Sequence, residues 1–473
     1  MGAGDAYLAH AIRLRRDAVI AAGPEGGQSI TLGPGSVRLP SLPPGIRAAL
    51  TALGEDDTAE LDAQQTVTSA DGVQGALRWQ SLLNQLDSMS LLERTVLTQD
   101  GPIARLRPAI RGRSPGTAAR APELAKLSRF TSVRAAGGKL IAERPGGHAV
   151  VELDQAAAGI LGALADWAQV RSGGPGLPPP AAQAVANLLA GAGLLAPGGP
   201  GDDPENDDAA LAQWSPADLW LHASSRCTRL NAGYGGSYPL ADRFSPLPAI
   251  PARLTGQRIE LPVPDLDVAA KADPPLTRVL EDRRSIRSHD AMSPITLAQL
   301  GELLYRCARV RRVFQGEGQE LADRPYPCGG AVYELEIYPL ITECAGAPPG
   351  LWHYAAADHE LEHVADLGKA TAALVAGARA ASMMHADPQV TLILAARFGR
   401  VMWKYQSIAY SLVLKHVGVL YQTIYLVATA MGLAACGLGG GDAADFAAAS
   451  GLSYYVEGSV GELVVGSRPA DQV

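Results

Sequence analysis

Cysteine is scarce in this chain: five occur in 473 residues, at 227, 307, 328, 344 and 436. They are odd in number and show no CxxC spacing, which argues against a disulfide framework and against a zinc site. Lysine is nearly as rare, with only six (126, 139, 271, 369, 404, 415). Most positive charge is therefore arginine, the better residue for bidentate contacts to phosphate. The formal net charge of -8 leaves no basic surface to neutralise a nucleic-acid backbone, so nucleic acid is not expected as a partner. The N-terminus, MGAGDAYLAHAIRLRRDAV, carries charges where a signal peptide needs an apolar core. A reduced, cytoplasmic protein is the expectation. No glycine loop fits GxGxxG after a first strand or GxxxxGK[ST], which excludes a Rossmann or P-loop site.

Glycine and proline, by contrast, are abundant, at 52 and 34, so connections should be many and stiff. The length suits two to four domains with ample core. One stretch stands out, Arg397 to Asp442. A basic and aromatic entry (Arg397, Arg400, Trp403, Lys404, Tyr405) leads into nearly thirty mostly apolar residues that break at Gly437, Gly439, Gly440 and Gly441. This predicts a long helix feeding a glycine loop. Lys415, His416 and Gln422 interrupt the run and no basic asymmetry flanks it, so the helix reads as buried, at a core or dimer contact, and not as a membrane span.

The rest of the chain divides into five parts with an overall α+β character. Residues 1–111 read as a small winged-helix-like module. Its strands lie at 14–22 and 28–40 and its helices at 44–55 and 75–92. Residues 127–196 repeat the order, with strands around the Gly137-Gly138 and Gly146-Gly147 turns and then two helices. Residues 105–122, with their proline, glycine and basic residues, read as linker, the domain bounds being placed at 112–126, and 197–210 form an acidic one. The last domain is 211–473. A winged module more often binds DNA, which the acidic balance disfavours. A strand edge that captures an extended peptide and a purely structural scaffold are the alternatives.

Three segments of the last domain carry possible chemistry. In the first, a helix at 277–282 runs into Arg283, Arg284, Ser285 and Arg287, and Ser293-Pro294 is expected to cap a second helix. Three guanidinium groups and a hydroxyl make a phosphate clamp. Taken alone they also read as a solvated charge run paired to Glu281 and Asp282. In the second, Pro325, Pro327, Gly329 and Gly330 form a rigid turn that lets backbone approach a planar ligand. An apolar strand through Val332, Leu335, Ile337 and Tyr338 follows. The third is the loop Cys436 to Asp442 with the strand ending at Ser467-Arg468. Cys328 and Cys436 read as small buried residues before any redox role.

In this order, ADLWLHASSRCTRLNAGYGGSYPL, LPVPD, RRSIR with PITLAQLGELLYR, RPYPCGGAVYELEIYPL, GLWHYAAADHELEHV, WKYQSIAY and GLAACGLGGGD resemble the FMN-dependent nitroreductase-like family. Within it they resemble the SagB-type or McbC-like dehydrogenases that oxidise azolines to azoles in peptides. The resemblance covers about residues 215–469. It implies an α+β sheet flanked by helices in an intertwined homodimer, with FMN at the interface. Arg283, Arg284, Ser285 and Arg287 match positions that hold the FMN phosphate and ribityl chain, and Arg468 matches a late phosphate contact. Pro327, Cys328, Gly329 and Gly330 match the turn against the flavin ring, delivered from the neighbouring subunit. Gly437, Leu438, Gly439 and Gly440 match the other wall. Lys404 and Tyr405 match the family's catalytic Lys-Tyr pair. No metal is implied. Cys328 stands where serine is commoner, and Val419 and Thr423 stand where His and Asn are expected.

The implied substrate is an azoline-containing precursor peptide, with dioxygen as final acceptor and a cyclodehydratase as partner, and the N-terminal modules would hold either that peptide or that partner. Ring oxidation removes a hydride and a proton. Tyr405 or Lys404 is the proton acceptor, with a charged Lys404 assisting Tyr405 as the preferred assignment. A generic NAD(P)H-driven nitroreductase and a flavin-free scaffold of a peptide-modifying complex are the rival readings.

Overall fold

The structure, a computed structural model, describes residues 9–22, 27–32, 35–109, 119–172, 176–226, 235–316 and 318–470. Part of the basic linker and of the segment at 217–240 lies outside them. Contacts divide the chain into two compact units, Met1–Tyr234 and Gly235–Val473.

In the first unit, a seven-stranded antiparallel sheet runs in the order Thr58–Ala59, Ala9–Leu14, Leu92–Thr98, Gly101–Pro108, Ala149–Leu153, Lys139–Glu143, Ser132–Ala136. Two cores lie along it. Ile12, Leu14, Leu50, Trp79 and Leu86 form one, and Val96, Leu106, Val151, Ile160, Val185 and Leu189 form the other. Each half pairs strands with helices, and one sheet runs through both.

The strand that joins the halves, Gly101–Pro108, falls partly in the expected linker 105–122. Its alternation is disguised. Ala104 and Leu106 face the apolar core, while Arg105 and Arg107 point the other way and meet Glu93, Asp57 and Glu152. A strand's period of two allows both faces to be satisfied. The acidic linker is also less free than its composition indicates. Glu205 is 1% exposed and accepts from Ser128 Oγ at 2.6 Å and Arg129 N at 2.9 Å.

Two further boundaries shift. The expected strand 14–22 is two strands, Ala9–Leu14 and Ala18–Ala22. The helix expected at 75–92 is the end of a longer one, Glu60–Ser88, broken at Gly72 with φ 67°. The break places Asp71 so that its carboxylate accepts from Gly45 N and Ile46 N, capping the helix Pro44–Glu55 from a distance.

The second unit is an antiparallel sheet in the order Arg258–Glu260, Glu360–Ala365, Gly350–Ala355, Leu335–Ile341, Val390–Arg397, Glu457–Ser467, Leu433–Gly437. Its central strands are buried along their whole length because helices cover both faces. Leu335, Ile337, Leu392 and Leu394 pack with the helices Leu297–Ala308 and Ala409–Ala430. Tyr338, Leu340, Ile393 and Ala395 pack with Lys369–Ser382 and Ala443–Ser450. Glu336, inside the apolar strand, is held by Arg324 at 3.4 Å and His353 at 3.3 Å. Burial works against its ionisation, but those cations outweigh it and its pKa lies below the ordinary value.

The organising stretch 397–442 is not one helix. Arg397 ends a strand, Phe398–Met402 is a short helix, Ala409–Ala430 is the long one, and Leu433–Gly437 is an edge strand. LAACG extends because it pairs with Leu463–Ser467. The long helix docks on the sheet through Val413, His416, Val417, Leu420, Ile424 and Ala428, while Tyr410 and Leu414 on its outer side are each 41% exposed. The second helix of the arginine segment begins at Leu297. Its cap is Thr296, which exchanges bonds with Gln299 in a capping box, not the expected Ser293-Pro294.

His289 joins the arginine segment to this sheet. Its Nδ1 accepts from Gln389 N at 3.0 Å, and Gly466 leaves the room it needs, since an added Cβ would lie 2.4 Å from that nitrogen. Burial lowers its pKa to about 4 from 6.5. Below pH 6.5 the unfolded chain takes up a proton that the folded chain refuses, so this contribution is complete above pH 6.5 and lost as pH falls toward 4. Denaturant titrations at pH 7 and pH 4.5 should differ by about 2–3 kcal/mol more in the native chain than in His289→Asn, which keeps an acceptor but cannot titrate.

Candidate functional site

Two groups of the expected site residues come together separately. The first forms around the turn before the strand Leu335–Ile341. Gly330 has φ 65°, and a Cβ there would stand 2.3 Å from Tyr405 Oη and 2.9 Å from Lys404 Nζ. Lys404 and Tyr405 therefore pack directly on the Gly330 α-carbon. They are 4% and 8% exposed, whereas Pro327 and Gly330 reach the surface. Lys404 Nζ lies 5.5 Å from the centre of the Tyr405 ring.

Arg400 clamps this arrangement. It is fully buried and donates to Val332 O from Nε at 3.0 Å and Nη2 at 2.6 Å, to Glu320 O at 2.8 Å and to Leu247 O at 2.6 Å. Burial, with Arg397 and Arg324 adding repulsion, brings its pKa down to about 10, so it stays charged at neutral pH. On the other side Lys404 O accepts from Ser237 N and Tyr238 N, and Trp403 Nε1 donates to Phe244 O at 2.7 Å. Segment 235–244 thus folds over the Lys-Tyr loop.

Beneath the turn lie Cys328, Glu334 and His416, whose donor atoms fall within 4.8 Å of one another. Glu334 Oε1 is 2.7 Å from His416 Nδ1, and His416 Nε2 accepts from Gly329 N at 2.8 Å. A backbone N–H only donates, so Nε2 offers its lone pair and the imidazole proton sits on Nδ1. That leaves Nδ1 no lone pair for a metal ion, although the residue types alone would suit one. Cys328 Sγ accepts from Tyr333 N at 3.2 Å. Burial, followed by the charge of Glu334, pushes its thiol pKa far up. It is a neutral thiol turned inward, so the turn offers a ligand its backbone and not a side-chain donor.

The second group gathers at the edge strand. Ile286 N donates to Ala435 O at 3.0 Å and Asp290 N to Ser467 O at 3.2 Å, laying the arginine segment along Leu433–Gly437. Ser285 Oγ is 2.9 Å from Tyr425 Oη, which also receives Gly437 N at 2.6 Å. The Arg283 guanidinium stands 5.4 Å from the Tyr425 ring centre. Arg283 and Arg287 pair with no carboxylate among the described residues, so the reading as a charge run paired to Glu281 and Asp282 does not hold for them. Arg284 instead turns back to Glu281 O and Arg283 O. Gly439 and Gly440 have nothing within 4 Å of an added Cβ, while Leu438 is buried and its N–H is bound to Glu462 O. Arg468 follows the strand at its far end, beside Ser467.

About 13 Å of helix rise separates His416 in the first group from Tyr425 in the second. Residue reasoning missed Arg400 as a clamp and the roles of His416, Glu334 and Tyr425. His416 and Tyr425 were visible as polar interruptions of an apolar run. Glu334 had no signal of its own. Thr423 Oγ1 bonds back to Val419 O at 3.0 Å, so this pair is satisfied within its helix.

Residues 280–467 match the nitroreductase family and residues 125–231 match the cyanobactin oxidase ThcOx family. A nitroreductase of Methanocaldococcus jannaschii is 29% identical over 184 residues, 39% of this chain and 85% of that protein. Among solved structures, a nitroreductase of Ralstonia eutropha JMP134 aligns with TM-score 0.36 and 23% identity, covering 47% of this chain and 95% of its own. The E. coli microcin synthetase McbBCD complex with truncated pro-MccB17 bound aligns with TM-score 0.34 and 19% identity, covering 50% and 88%.

Gly330→Ala should separate conformational cost from packing cost. The positive φ alone costs about 1–2 kcal/mol, and the methyl must also displace Tyr405. In denaturant titrations it should lose more than Gly137→Ala, which has φ 57° but open space. Equal losses would mean that Tyr405 is not seated on Gly330.

Proposed function

We propose that this chain, whose C-terminal unit is a nitroreductase-like domain, is an FMN-dependent dehydrogenase. It oxidises thiazoline or oxazoline rings to thiazoles or oxazoles in a ribosomally made, modified peptide. The observation that carries the reading is the seating of buried Lys404 and Tyr405 on Gly330. The match of residues 125–231 to a cyanobactin oxidase family supports a peptide as substrate.

The residues fit a phosphorylated flavin. Arg283 and Arg287 are cations without carboxylate partners among the described residues, Ser285 adds a hydroxyl, and Gly439 and Gly440 present bare backbone to open space. Arg283, Arg284, Ser285, Arg287 and Arg468 would hold the phosphate and ribityl chain. Gly437 to Gly440 would wall one side of the ring and Pro327 to Gly330 of a second copy the other. This division explains why the two groups lie apart in one chain. The half-exposed Tyr410 and Leu414 on the long helix suit a homodimer. When bound, FMN supplies the hydride acceptor. Tyr405 takes the ring proton, assisted by the neighbouring charge of Lys404. Burial of both excludes water from the proton's path. The electrons pass finally to dioxygen, giving peroxide. The N-terminal unit holds the peptide or a cyclodehydratase partner.

Incubation with a heterocyclised peptide in air, without nicotinamide, should remove one H2 per ring and yield peroxide, read by mass spectrometry and a peroxide assay. Lys404→Ala and Tyr405→Phe should each lower the rate at least about 100-fold with flavin still bound. A strict need for NAD(P)H would identify a generic nitroreductase, and a colourless protein that takes up no flavin would identify a scaffold. Gly439→Ala meets no neighbour, so denaturation should be unchanged while flavin affinity falls about tenfold or more by fluorescence titration. Unchanged affinity would remove this loop from the site.

A further inference from the structure

We propose that His416 and Glu334 act as positioning residues that set the Cys328–Gly330 turn through one tautomer of one imidazole. Its catalytic consequence rests on the function proposed above, whereas its geometry does not. Glu334 is fully buried, and its two oxygens face His416 Nδ1 at 2.7 Å and Cys328 Sγ at 3.5 Å. Accepting from Nδ1 fixes the proton there and leaves Nε2 as an acceptor, 2.8 Å from Gly329 N. The Gly329 N–H is thereby turned into the protein. The next α-carbon, Gly330, is presented to Tyr405 and Lys404, which approach to where a Cβ would stand. His416 lies on the long helix one side of the turn, and Arg400 holds the other side through Val332 O. The turn is pinned at both ends, by His416 through Gly329 N and by Arg400 through Val332 O. A proton on Nε2 would oppose the Gly329 N–H donor to donor, so the turn depends on where this proton sits.

The test uses the full chain labelled with 15N-histidine. His416→Gln assigns the resonance among the nine histidines. His416 should show a bare Nε2 and a protonated Nδ1. Glu334→Gln can donate its amide to Nδ1, and should drive the proton to Nε2 and raise hydrogen exchange at Gly329. His416→Leu should raise exchange equally, while His416→Gln, whose amide oxygen can still accept from Gly329, should keep it protected. In turnover with a heterocyclised peptide, Glu334→Gln and His416→Leu should lose about 100-fold in kcat with little change in KM, as expected for a catalytic pair displaced by about 1 Å. His416→Gln should keep most of kcat. An imidazolium or a protonated Nε2 in the unaltered chain would overturn the proposal. So would equal Gly329 exchange in His416→Gln and His416→Leu. If the unaltered chain binds no flavin or turns over no peptide, the functional reading fails, and the tautomer and exchange data still decide the positioning role.

Discussion

The second unit depends on a buried cation that has no carboxylate at hydrogen-bond distance among the described residues. Arg400 is satisfied instead by carbonyls from three separate segments, at Leu247, Glu320 and Val332. A buried charge costs free energy unless its donors are engaged, and arginine's five fixed N–H groups can engage several carbonyls at once. The consequence is geometric. The short helix that carries Arg400 runs directly into Lys404 and Tyr405, and Val332 closes the glycine turn, so one side chain ties the Lys-Tyr pair to the surface on which it rests.

Around this clamp, a single helix serves two places. Ala409–Ala430 packs its sheet-facing side into the main core. From that rigid base it offers His416 to the Gly329 turn and Tyr425 to Ser285 and Gly437. Side chains on a packed helix hold position better than those on loops, while Gly439 and Gly440 nearby present bare backbone. The chain therefore combines a stiff support with bare surfaces. The two places the helix serves lie about 13 Å apart along its length.

Cys328 illustrates how environment decides a residue's chemistry. A thiol beside histidine and glutamate has the composition of a nucleophile or a metal ligand. Here burial and the nearby carboxylate keep it protonated, and the imidazole's acceptor nitrogen is already committed to a backbone amide. The three groups form a closed hydrogen-bond set whose output is the orientation of a peptide bond.

The α+β class and the nitroreductase-like character of the C-terminal half were legible in the amino-acid order, because arginine runs, proline-glycine turns and glycine bends are local signals. The helix expected at 277–282 and the strand after the glycine turn are both present, at Leu276–Asp282 and Leu335–Ile341. What the order could not reveal lay in non-local pairing. LAACG read as helix because its strand partner, Leu463–Ser467, is distant in sequence. Residues 105–108 read as linker because the acids that neutralise Arg105 and Arg107 come from other segments, at Asp57, Glu93 and Glu152. Glu334, unremarkable in its own segment, acquires a role only when folding brings it to His416, 82 positions away. Sequence alone determined which residue types were available and where the backbone could bend. Tertiary structure decided which charges were buried, which tautomer was held and which glycine was packed against, because those depend on the partner each group meets and not on its neighbours in the chain.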